Sequence, residues 1–178
     1  GIDTNFFHNS VSPNSITEEK LVVRNRETGE QYEIDESVEL ITYATRGMEP
    51  LRGFPEFIEA GINALKENEN RREVIAGKDR VAYSYGSPLK NGSWKEYLLE
   101  NVDDRISKRI TFCGLLTYED YRNLLWRSDV HCYFTRPYVT SWSMFEAAAC
   151  ECNMLVNYGE ATENVVEKES VHWVSLDN

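Results

Sequence analysis

From Val38 onward the chain repeats one unit: a short apolar run suited to a strand, a loop, then a segment with helical spacing. VELITYAT leads to FPEFIEAGINALKEN, where Phe54, Phe57, Ile58, Ile62 and Leu65 share one helical face. REVIAG leads through a long polar loop, Lys78 to Ser93, to the short helix WKEYLLENV. RITFCG leads to YEDYRNLLWRS, with Thr117 as the N-cap. DVHCYFT leads to WSMFEAAACE, capped near Ser141 or Ser143; MLVNY leads to a helix in ENVVEKE, and VHWVS is a last strand. Strands alternating with helices imply a parallel sheet with right-handed crossovers, and apolar runs without alternation suit a sheet covered on both faces. The expected fold is α/β, a doubly wound, Rossmann-like parallel sheet flanked by helices. Ahead of the rhythm, KLVVRN and EQYEID flank E-T-G as a hairpin, and GIDTNFFHNSVSPNS reads as a polar arriving linker.

Charge narrows the function. The 178 residues fit one domain with a real core, and 19 basic against 30 acidic side chains give a net charge of −11. Such a surface repels phosphate backbones, so nucleic acid is not the expected partner. No apolar stretch approaches the roughly 20 residues that span a bilayer. Cys113, Cys132, Cys150 and Cys152 lack the C-x-x-C spacing of zinc or redox sites. They read as reduced thiols of a cytoplasmic protein. Three scattered histidines make no metal constellation, and His131, in mid-strand, reads as a core residue.

In doubly wound sheets ligands bind beyond the carboxyl ends of the strands. Here those ends carry Arg46, then Gly77 with Lys78 and Arg80, then Gly114 and Leu115, then Thr135 and Arg136. A basic rim on one edge of an acidic protein argues for an anionic ligand. Arg46 and Arg52 can pinch a diphosphate through bidentate pairing, beside a helix that starts near Gly53. The alternative is a solvated turn with two surface charges. The helix start at Thr140, Ser141 and Trp142 offers amides to a second phosphate, and Glu146, one turn in, suits a ribose diol. Glu146 can equally be an exposed helix residue. The long loop contributes Arg80, Tyr83 and Tyr85 as sugar or phosphate contacts, unless it is simply polar surface.

The order of GIDTNFF, R-G-M-E-P-L-R-G-F, ITFCGLLTYEDYRNLLWRSDVHCYF and SWSMFEAAACECNMLVNYGEATENVVE resembles the C-terminal domain of retaining family 4 (group 1) glycosyltransferases of GT-B architecture. The resemblance implies the C-terminal half of a GT-B fold: residues 1–20 as an interdomain linker and 21–178 as a nucleotide-sugar-binding domain. It implies Arg46 and Arg52 (Arg where the family has Lys) as catalytic, diphosphate-binding residues, with Gly114, Leu115 and Glu146 at the nucleoside. The family's earlier glutamate, which helps at the sugar, is Tyr138 here, and its glycine after the helix is Glu151. Tyr138 joins Arg80 and Tyr85 as a candidate sugar contact.

The implied function is retaining transfer from a UDP-, GDP- or dTDP-sugar to a glycan, lipid or other acceptor, as in polysaccharide biosynthesis. No cofactor or metal is required. The acceptor site lies in an absent N-terminal domain, this piece alone is expected to be inactive, and the full-length enzyme is expected to associate peripherally with membranes. The missing carboxylate at Tyr138 keeps open a non-catalytic nucleotide-sugar-binding module, and an epimerase of the same architecture is a third reading.

Overall fold

The computed structural model describes residues 1–8, 20–137 and 140–176. Most of the expected linker and Tyr138 therefore lie outside the described residues. The hairpin is present: β1 (Lys20–Arg24) pairs antiparallel with β2 (Gln31–Asp35). The remaining strands are β3 (Glu39–Ala44), β4 (Arg71–Ala76), β5 (Ile110–Gly114), β6 (Val130–Tyr133), β7 (Met154–Asn157) and β8 (His172–Val174). They form one six-stranded sheet in the order β5-β4-β3-β6-β7-β8, parallel throughout. This is the doubly wound architecture read from the sequence. Strand order reverses between β3 and β6, which opens a crevice at their carboxyl ends.

Both faces of the sheet are covered, and alternate residues of one strand serve opposite cores. Tyr43 of β3 and Ile75 of β4 pack with Phe54, Phe57, Ile58 and Leu65 of α1 (Phe54–Glu67). Leu40 and Val74, which face the other way, join Val23 and Ile34 of the hairpin and Leu124 of α4 (Tyr118–Arg127). A third cluster unites Leu125 with Tyr133, Val156 and Met144 and Ala147 of α5 (Trp142–Ala149). Phe7 is buried in it, so the first residues dock against this face.

Local chemistry sets the helix ends. Thr117 caps α4 by accepting from the Asp120 amide at 3.1 Å, and Ser93 and Glu96 form a capping box on α2 (Trp94–Leu99). Two elements depart from the sequence reading. A single-turn helix, α3 (Asp104–Ser107), is held by the Asp103 side chain accepting from the Arg105 amide. The helix expected over ENVVEKE lies earlier, as α6 (Glu160–Glu163), because buried Thr162 donates to the Asn157 and Gly159 carbonyls and fixes the turn there. Val165 is then left 41% exposed, where a helical face would have needed it inside.

Candidate functional site

A cleft of 840 Å³ lies over the switch point between β3 and β6. Arg46, just after β3, is exposed and lines it; Arg52, on a 3-10 turn over Pro50–Arg52, is half-buried and lines it too. That turn ends at Gly53, whose φ of 62° is left-handed and where a Cβ would strike Phe134. Gly53 is thus the hinge that starts α1 directly behind Arg52. Tyr43 anchors the turn from below, its hydroxyl donating to the Arg52 carbonyl at 2.6 Å.

The two guanidinium groups share one neighbour. Arg46 Nη1 donates to the Tyr83 hydroxyl at 3.0 Å, and both guanidinium carbons lie 5.9 Å from the Tyr83 ring centroid. Arg52 Nη1 also donates to Thr135 Oγ1 at 2.9 Å, which ties it across the switch point to the end of β6. Tyr83 is held by Glu49: one carboxylate oxygen accepts from the amides of Ala82, Tyr83 and Ser84 at 2.8, 2.8 and 2.9 Å. Glu49 is fully buried, so these charge-assisted bonds are what make its burial tolerable. Neither Glu49 nor this role of Tyr83 was evident from the sequence. A charged residue in the otherwise uncharged turn between Arg46 and Arg52 was the signal.

The facing wall comes from the start of α5. Thr140, Ser141, Trp142 and Glu146 all line the cleft. The Ser141 amide differs from the expectation, because it donates to the Tyr133 hydroxyl at 2.8 Å rather than opening to the cleft. Thr140 donates its hydroxyl to the Ala161 carbonyl, and Trp142 is 64% exposed. Glu146 is half-buried, its carboxylate has no hydrogen bond or ion pair among the described residues, and burial raises its pKa. Beside it the buried Tyr121 hydroxyl, also on the cleft, has no hydrogen-bond partner among the described residues. Tyr121 escaped the sequence reading because it looked like an ordinary helix aromatic.

Gly114 ends β5 with φ 67° and packs against Asn25, while Leu115 lines the cleft. Arg80 and Tyr85 are not brought to this cleft. Arg80 borders a separate hollow with Asp79, Trp94 and Glu96, and Tyr85 packs edge-on against Trp94 at 5.9 Å. The loop doubles back on α2 and presents only Tyr83 to the arginines. His131 is a core residue, 1% exposed, with Nδ1 2.8 Å from Thr42 Oγ1 and a pKa pushed down by burial to about 4. Among the described residues no group of three or more His, Cys, Asp and Glu is placed to hold a metal, and no helix is long and apolar enough to cross a membrane.

No protein-family profile matches the chain, and no curated protein does. Solved structures match its fold. The C-terminal domain of a group 1 family glycosyl transferase from Francisella tularensis superposes with a TM-score of 0.67 at 18% identity, over 98% of this chain and 80% of that one. Anabaena HepE, in complex with UDP, gives 0.61 at 15% identity, over 98% of this chain and 42% of that one. Sucrose-phosphate synthase from Thermosynechococcus elongatus gives 0.61 at 14%, over 100% of this chain and 39% of that one. The chain therefore has the Rossmann-like fold of GT-B C-terminal domains and spans less than half the length of the last two proteins.

Proposed function

We propose that this chain is the donor-binding half of a retaining glycosyltransferase, which takes a nucleoside diphosphate sugar and transfers the sugar to a glycan, lipid or other acceptor. One observation carries the reading: Arg46 and Arg52 converge on one wall of the switch-point cleft, and the partnerless Glu146 carboxylate lies on the other. A diphosphate answers the first and a ribose diol the second, since a carboxylate accepts from both hydroxyls. The arginines would act by electrostatics. Negative charge grows on the diphosphate as the glycosidic bond breaks, and fixed guanidinium groups stabilise that charge more than they stabilise the bound donor.

No metal is needed in this scheme, because the leaving-group charge meets the two guanidinium cations. The acceptor would be held by a second domain, which would also exclude water and set the attack geometry. The UDP bound to one structural neighbour supports a nucleotide ligand. The four unpaired thiols fit a reducing cytoplasm, and polysaccharide biosynthesis is the process this activity would serve.

Isothermal titration with UDP and GDP tests the clamp. Arg46→Ala or Arg52→Ala should each raise the dissociation constant roughly tenfold to hundredfold, the scale of a charge-assisted hydrogen bond, with less effect on the bare nucleosides. Unchanged diphosphate affinity in both variants would overturn the reading.

A further inference from the structure

The hairpin is not a detached ornament, because its turn reaches the Leu115 end of the cleft. The Arg26 amide donates to the Leu115 carbonyl at 2.7 Å, and Asn25 and Leu116 form an antiparallel bridge. The Asn25 side chain fills the space beside Gly114, so any Cβ there would collide with it. Two further ties fix the hairpin: the Arg24 amide donates to Asp120 Oδ2 at 3.3 Å, and Glu27 pairs with Lys78 at 2.6 Å. Arg26 is thus anchored through its backbone while its side chain stays exposed and lines the cleft beside Leu115, Tyr118 and Tyr121. Its acidic neighbour Glu27 is committed to Lys78, and Arg26 itself makes no ion pair among the described residues.

Resting on the donor-site reading above, we infer that Arg26 reads the nucleobase of the donor and selects guanine. The bond from the Arg26 amide to the Leu115 carbonyl sets the Arg26 guanidinium on the cleft at the place a base edge would occupy. Two parallel N–H donors match a base edge that carries two acceptors side by side. Guanine offers O6 and N7 in that arrangement; adenine places an amino donor beside N7, and uracil's two carbonyls, O2 and O4, are held apart by the N3–H donor between them. Tyr118, which also lines the cleft and is 66% exposed, supplies a ring face for stacking.

The test is titration of GDP, UDP, ADP and inorganic pyrophosphate into the wild-type chain, Arg26→Ala and Arg46→Ala. The wild type should bind GDP about tenfold more tightly than ADP, with UDP between, as expected for one bidentate base contact. Arg26→Ala should erase that ranking by weakening GDP about tenfold while leaving ADP and pyrophosphate unchanged. Because the anchor is the Arg26 backbone amide, the variant keeps the hairpin in place. Arg46→Ala should weaken all four ligands and keep the ranking. If Arg26→Ala weakens all four equally, Arg26 is a phosphate contact and the base-reading inference falls while the donor site stands. A wild-type preference for UDP or ADP would also overturn it. If no ligand binds at several millimolar, the donor-site reading itself fails.

Discussion

Glu73 is the side chain whose ionisation should be plainest in the stability of the fold. It lies midway along β4, 0% exposed, and its carboxyl occupies the volume that a side chain on Gly61 of α1 would need. Neither carboxylate oxygen has a hydrogen-bond partner among the described residues. Burial pushes its pKa up from 4.5 to about 8, against a smaller opposing pull from Arg109. The folded state therefore keeps a proton that the unfolded chain has released, and stability falls as pH rises through that window. The slope for one proton is about 1.4 kcal/mol per pH unit. His131 has the opposite sign: burial lowers its pKa from 6.5 to about 4, so the unfolded chain binds the extra proton and stability rises with pH across that interval.

The two slopes offset one another between 4.5 and 6.5, and from 6.5 to about 8 the Glu73 slope is no longer opposed by His131. Over that last interval the domain should lose about 2 kcal/mol, which moves a urea midpoint by about 1 M. Glu73→Gln keeps the shape and removes the titration. Urea unfolding followed by tryptophan fluorescence at pH 6.5 and 8 should show a falling midpoint for the wild type and a constant one for the variant. The variant should instead reveal the His131 slope at acid pH. A wild-type midpoint that does not move above pH 6.5, or an equal fall in Glu73→Gln, would refute the assignment.

Glu146→Gln should weaken ribonucleoside diphosphates more than their 2′-deoxy counterparts, because the ribose hydroxyls are its proposed donors; equal losses by calorimetry would remove it from the ribose site. Glu49→Ala strands three backbone amides and should lower stability by about 2–4 kcal/mol. It should also speed hydrogen exchange at Ala82, Tyr83 and Ser84; protection unchanged at those amides would show that the loop is held by something else.

The sheet was legible because parallel strands buried on both faces leave short apolar runs, and β3 to β8 all fall where those runs lie. The cap at Thr117 was legible for a similarly local reason, an acceptor side chain three residues before the amide it serves. That Arg46, Arg52 and Glu146 would come to one cleft was legible because strand ends and helix starts converge in this fold. Tertiary proximity hid the rest. Nothing in the sequence around Tyr83 shows that Glu49, more than thirty positions earlier, pins its loop over the arginines. Nor does the hairpin sequence show that Arg26 meets Leu115, since that contact depends on how the hairpin packs on α4. Arg80 and Tyr85 looked as suitable as Tyr83, and only the fold of the loop against Trp94 separates them.

The strand order has a bearing on how the chain folds. Thr42 and His131, which meet in the middle of the sheet, are 89 positions apart. Among the pairings of the six-stranded sheet, β3–β6 therefore closes the longest stretch of chain, and it belongs late in folding, after the neighbouring β3–β4 unit has formed around α1. Arg52 and Thr135, whose bond crosses that seam, come together only then. A ligand held between the two walls would bridge segments that are joined by the longest strand-to-strand closure of the sheet, acting as a reversible staple across that seam.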